Sequence, residues 1–200
     1  MAAILTNLFR TVITGFVLAA VVLIIVGLVG YGWKFDLSFW QFGARWLHIL
    51  SGIMWIGLLY YFNFVQIPSM PKIPDEQKPA VSKVIAPEAL FWFRWAAMST
   101  LFFGIILSLL NKNFVDSVIF GIASKSPNDT VIGIGMWLGA IMWFNVWFVI
   151  WPNQQKALGL VEATPDAKKA AARAAMLFSR TNTMLSIPML YCMVAAKHSY

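Results

Sequence analysis

Long apolar runs separated by short polar segments set the pattern of this chain. Five such runs, near residues 11–32, 44–66, 90–110, 131–151 and 180–199, reach or approach the roughly 20 residues that a helix needs to cross a bilayer. The pattern predicts an all-α integral membrane bundle of about five transmembrane helices, forming a single domain over residues 1–200. The first run, Thr11 to Gly30, exceeds a signal-peptide core and is followed by no A-x-A-like site, so it is expected to be a retained span. The fifth is interrupted by Arg180, Asn182, Ser186 and Pro188. Neighbouring helices can re-satisfy the backbone around an intramembrane proline, so a kink at Pro188 is expected rather than a break. Between spans, Thr164-Pro165-Asp166 reads as an N-cap, an N1 proline and an acidic first turn, opening an Ala-rich helix that runs toward the fifth span. Pro87-Glu88 starts the third helix in the same way.

Charge then orients the bundle. One side collects Arg10, Lys72, Lys78, Lys83, Arg94, Lys156, Lys168, Lys169, Arg173 and Arg180; the other collects Lys34, Arg45, Lys112, Lys125 and Lys197. The positive-inside rule makes the first side cytoplasmic, with the N-terminus in and the C-terminus out. Only 12% of residues are charged, 60% are apolar and mean hydropathy is +0.73, far from a soluble composition. The net charge of +7 is therefore explained by orientation and by contact with anionic membrane lipid, without a nucleic-acid partner. The lone Cys192 excludes an internal disulfide, and without a C-x-x-C-H motif any haem must be held non-covalently. Tyr31, Trp33, Trp40, Trp46, Trp92, Trp95, Trp147 and Trp151 fall at predicted span ends, as aromatic belts do. Gly135-x-x-x-Gly139 permits close helix approach, and Gly52 and Gly57 permit the same or make room for a flat cofactor.

The two histidines are the chemistry that stands out. An ionisable side chain in a membrane span is expensive and marks a functional site by default. His48 lies 18 residues from Gln66 and His198 lies 18 residues from Arg180, so each sits roughly 27 Å from the inner edge of its helix. Equal depth on two helices suits axial ligation of one haem b by two imidazoles, with Met189 or Met193 as alternative partners to His48. The competing reading is a pair of interfacial histidines bonded to headgroups or carbonyls. A zinc site, which wants three or four ligands, fits less well.

A second polar group gathers at the inner ends of the spans: Asn63, Gln66, Arg94, Asn145, Asn153, Gln154, Arg180, Thr181 and Asn182. Asn145 sits deep within Met142-Trp143-Phe144-Asn145-Val146-Trp147 and needs partners, which Arg180-Thr181-Asn182 can supply. Two readings stay open. The cluster is either structural glue that fixes helix register or a pocket for a planar anionic or carbonyl-rich ligand.

Four segments carry a family likeness: RWLHILSGIMWIGLLYYFNFVQIP around His48, PEALFWFRWAAM at 87–98, NVWFVIWPNQQK at 145–156 and SRTNTMLSIPML at 179–190. Over about residues 40–200 the chain resembles the membrane domain of the bacterial urate oxidase N-terminal family. Its best-known form fuses this domain to a C-terminal c-type cytochrome. The sequence given ends at Tyr200 without one, so the resemblance implies a multi-pass module of the bacterial inner membrane that exchanges electrons with a separate c-type cytochrome. Urate chemistry, if carried over, would use Arg94 or Arg180 on the anion and Asn145 or Asn182 on the ring amides.

Three functions follow as expectations. The first is a haem b-bearing redox subunit, working with other membrane subunits or as a homo-oligomer. The second is a non-catalytic accessory subunit of a larger respiratory or photosynthetic complex, and the third is an oxidase of urate or a related purine. A transporter is disfavoured by the absence of paired broken helices and of acidic residues deep in the spans.

Overall fold

A computed structural model of the chain describes residues 2–32 and 34–198. The belt residue Trp33 and the last residue of the predicted fifth span, Ser199, lie outside the described residues. The chain divides into two compact units, residues 1–40 and residues 41–200.

The first unit is built on helix α1, Leu8–Val26, after a short turn at Ala2–Leu5. Asn7 caps α1 by accepting the Arg10 amide at 3.1 Å, and a π-helical turn, Gly27–Tyr31, ends it where Gly30 takes φ +108°. None of the residues of α1 is buried. A helix apolar on every face and exposed on every face is made for hydrocarbon.

The second unit contains four long helices. Helix α2, Leu37–Tyr60, enters it at Gln41 and continues through a π-helical segment, Tyr61–Gln66. Helix α3, Ala86–Leu110, is preceded without a break by the π-helical segment Val81–Ile85. A short helix α4, Phe114–Val118, leads to α5, Pro127–Phe144, which runs through a third π-helical segment, Asn145–Ile150, into Trp151–Ala157. Helix α6, Pro165–His198, is a single element of 34 residues. Thr164 caps it as the sequence predicts, its Oγ1 accepting the Ala167 amide at 3.3 Å.

Partner residues run in opposite directions along each adjacent pair, which makes the four helices antiparallel. Between α2 and α3, Gln41 bonds the Leu110 carbonyl, His48 the Thr100 carbonyl and Ser51 the Ser99 hydroxyl. Between α3 and the π segment after α5, Trp95 meets Trp147 edge to face at 5.5 Å. Asn145 meets Asn182 between that segment and α6, and Tyr60 and Asn63 meet Ser186 and Ser179 between α2 and α6. The ring closes as an up-and-down four-helix bundle.

Four helical stretches are long and apolar enough to cross a membrane: Leu8–Gly30, Leu37–Lys72, Lys78–Leu110 and Pro127–Ala157. This is a membrane protein, and the first four predicted spans fall inside these stretches apart from a residue or two at their ends. The predicted fifth span is the second half of α6, which has the length but carries Arg180, Thr181, Asn182 and Ser186. Those residues lower its apolar character; Asn182 and Ser186 are fully buried against the other helices, while Arg180 is exposed. Pro188 lies inside the helix without ending it.

The core sits in the half of the unit that holds Asn63 and Asn145. Trp55, Leu59 and Phe62 of α2 and its extension pack with Leu90, Phe93 and Ala97 of α3, Met142, Val146 and Ile150, and Met189 of α6. Small residues let backbones close up further out. A Cβ on Gly135 would lie 3.0 Å from the Cys192 Cβ, and one on Gly133 would run into the Ser117 carbonyl of α4, so α4, in the connection between α3 and α5, is held against α5. At Gly139 and Gly57 there is open space instead.

One network crosses the lipid-embedded core. Asn145 Nδ2 donates to Asn182 Oδ1 at 2.8 Å, and Asn182 Nδ2 donates to the Met142 carbonyl at 2.9 Å. Asn182→Ala should destabilise the folded bundle by about 1–2 kcal/mol, since it strands the Asn145 amide. Reversible unfolding of the detergent-solubilised protein checks this, with the exposed Met184→Ala as the neutral control.

Candidate functional site

His48 sits half-buried on the face of α2 that meets α3. Its Nδ1 lies 2.8 Å from the Thr100 carbonyl oxygen. A carbonyl only accepts, so in the neutral ring Nδ1 carries the proton and Nε2 is the basic nitrogen. The imidazole reaches the α3 backbone because of Gly104, one turn beyond Thr100. A Cβ there would lie 3.0 Å from His48 Cε1 and 3.1 Å from Nδ1. The Thr100 hydroxyl turns away to bond the Ala96 carbonyl at 2.7 Å. Ser51 and Ser99, their hydroxyls 2.8 Å apart, tie the same two helices one turn further in.

His198 is the last residue of α6 and is exposed. No described contact joins it to His48. The nearest shared landmark is the Tyr60–Ser186 bond, with hydroxyl oxygens 3.0 Å apart. Each histidine lies 12 residues outward of it along its own helix, so both are about 18 Å from that level. Met189 is buried in the core, and Met193 packs beside Gly135. Along α2, burial is concentrated beyond Met54. Between Arg45 and Met54 no α2 residue is buried, whereas Trp55, Ile56, Leu59 and Phe62 all are.

The amide end is organised differently. Asn145 and Asn182 spend their polar atoms largely on each other and on Met142. Asn63 donates from Nδ2 to both the Leu59 carbonyl, at 2.9 Å, and the Ser179 hydroxyl, at 2.8 Å, while its Oδ1 is buried with no partner. Gln66 Oε1 is likewise buried and unpartnered, as are the indole nitrogens of Trp55, Trp143 and Trp147. Arg94 is half-buried and lies flat on Trp151, its guanidinium carbon 3.2 Å from the ring centroid and 5.9 Å from that of Trp147. Arg180 is exposed. Of the four residues expected to share a substrate pocket, Asn145 and Asn182 are brought together, and no described contact joins Arg94 or Arg180 to them.

Sequence reading did not single out Thr100, Gly104 or Ser179, and took Ser186 only as an interruption of the fifth span. A backbone acceptor leaves no mark in a sequence, and one glycine in an apolar run is ambiguous. The Ser99-Thr100 and Ser186 hydroxyls, polar groups inside spans, were the available signal. Among the described residues no group of three or more His, Cys, Asp or Glu side chains is placed to hold a metal ion. What the histidine site offers is a single basic imidazole nitrogen, oriented from behind by a backbone carbonyl. That is the arrangement in which a ligating histidine is held.

Compared with known proteins, residues 122–200 match the model of a family described as urate oxidase N-terminal. This is the C-terminal part of the resemblance read from the sequence. It covers the end of the connection that precedes α5, α5 with its extension, and α6. No curated protein and no solved structure matches the chain.

Gly104→Ala should push the imidazole off the Thr100 carbonyl. With only two histidines in the chain, 15N-histidine NMR reads the result directly. The wild-type His48 signal should report a proton fixed on Nδ1, and the variant should show mixed or reversed tautomers. An unchanged His48 spectrum would rule out the notch.

Proposed function

We propose that this chain is a membrane redox module of the urate oxidase N-terminal type. In this reading it holds one haem b through His48, with His198 as the second axial ligand, and exchanges electrons with a c-type cytochrome at the bacterial inner membrane. The observation that carries the reading is the His48 notch. A histidine in a membrane span is costly, and this one donates its Nδ1 proton to a helix carbonyl 2.8 Å away, leaving Nε2 as a ligand atom. Two further features fit. His198 ends the helix that faces α2 across the Tyr60–Ser186 bond, at the matching distance outward. The side chains of α2 between Arg45 and Met54 are all at least partly exposed, so a prosthetic group beside His48 would have surface to cover there. When bound, haem b supplies one-electron chemistry; the protein supplies the ligand, its tautomer and a low-dielectric setting that tunes the potential.

The deciding measurement is a reduced-minus-oxidised spectrum of the protein purified from haem-replete cells in mild detergent. A b-type spectrum is expected, abolished in His48→Ala and weakened or shifted to a high-spin form in His198→Ala. Met189→Leu should leave it unchanged. A protein without b-type absorbance would overturn the proposal and leave the non-catalytic accessory subunit as the better reading.

A further inference from the structure

Arg94 is a cation without an anion. Its Nε donates to the Leu90 carbonyl at 3.2 Å, and neither terminal nitrogen of its guanidinium has an acceptor among the described residues. The chain's eight acidic residues are Asp36, Asp75, Glu76, Glu88, Asp116, Asp129, Glu162 and Asp166, so none lies between Glu88 and Asp116 on the arginine's own helix. Glu88, the nearest in sequence, instead accepts the Trp92 indole N–H at 2.9 Å. Lys78–Asp75 is the ion pair that forms among the described residues.

The guanidinium is also held in place. Its carbon sits over Trp151 at 3.2 Å from the ring centroid, with Trp147 at 5.9 Å. Cation–π contact of this kind attracts a guanidinium and orders it, yet leaves its outward edge unpaired. Unpaired N–H groups on a half-buried cation are expensive in a membrane, and a planar fork is the donor shape that takes two oxygens of one oxyanion. Phe93, the preceding residue, packs edge to face on Phe62 at 5.7 Å, which sets Arg94 at the level of Asn63, near the end of the bundle rich in Lys72, Lys78, Lys83 and Lys156. At such a level of a bilayer the abundant oxyanion is phosphate.

We infer that Arg94, clamped on Trp151 and Trp147, is a phosphate-binding site, occupied by the phosphate of an anionic lipid headgroup or by free phosphate. The inference is independent of the haem reading, which concerns the other end of the bundle.

The test is titration of the full chain, purified in an uncharged detergent, with phosphatidylglycerol, with a galactolipid of matched acyl chains, and with inorganic phosphate. Bound ligand is counted by native mass spectrometry. Phosphatidylglycerol should bind about tenfold or more tightly than the galactolipid, the scale of a charge-assisted bidentate contact. Arg94→Gln should erase that preference, and Arg180→Gln, which removes an exposed arginine of the same chain, should leave it intact. Arg94→Lys keeps the charge without the fork and should retain only part of the preference, with the fold preserved. Saturation by inorganic phosphate as tight as by phosphatidylglycerol assigns the site to free phosphate; preference for the lipid assigns it to the headgroup. Equal binding of the galactolipid, or phosphatidylglycerol binding untouched by Arg94→Gln in a folded variant, overturns the proposal.

Discussion

Hydrocarbon offers no water to a stray polar atom, and the bundle depends on how its buried amides are answered. Asn182 is the decisive one. Its carbonyl oxygen accepts from Asn145 and its amide nitrogen donates to the Met142 carbonyl, two points about one turn apart on the opposing chain. Sliding α6 along α5 by a turn would break both bonds at once, so this pair fixes register where apolar packing alone would tolerate slippage. The register persists outward. Ten residues beyond Asn182 on α6 and ten before Asn145 on α5, Cys192 fits against Gly135. The histidine-bearing ends are thus set by an amide contact some 15 Å deeper in the bundle.

The same constraint accounts for the asparagines near the π-helical segments. A π turn admits an extra residue and widens the hydrogen-bond ladder, which leaves a carbonyl in need of a donor. Asn63, inside Tyr61–Gln66, donates to the Leu59 carbonyl four residues back, and Asn153, just after Asn145–Ile150, donates to the Val149 carbonyl in the same way. Both amides thereby do the work that water does in a soluble helix. Amides can be structural glue, and at these positions the geometry gives them that role.

Much of this was legible in the sequence, because membrane helices advertise themselves by length and apolar content. Four spans, the capped start of α6 at Thr164 and the tolerance of Pro188 followed from residue type alone. So did the pairing of Asn145 with the 180–182 segment, since a buried amide demands a partner. The weak apolar signal of α6 has a related origin: Ser179, Asn182 and Ser186 face inward, and mean hydropathy does not distinguish a face. What stayed hidden was contact made by backbone or by absence. The Thr100 carbonyl and the missing side chain at Gly104 shape the histidine site, and neither residue type carries that meaning by itself. Stacking of Arg94 on Trp151 was hidden too, because belt tryptophans are common enough that one clamping a cation looks like the rest.

The two ends of the bundle therefore answer the cost of polarity in opposite ways. At the amide end, packing is dense, most amides are paired, and the groups left over are an arginine fork and a few orphaned acceptors and indoles. At the histidine end, one imidazole is fixed from behind with its other nitrogen left basic. A fully paired histidine would need a second hydrogen-bond donor on Nε2, and none is described there. Selection for stability alone would favour filling that half with leucine and dispensing with the imidazole, since an apolar residue in lipid needs no partner at all. A desolvated ring, held through a glycine notch that weakens the helix it leans on, is a cost that the ligand role proposed for Nε2 would offset.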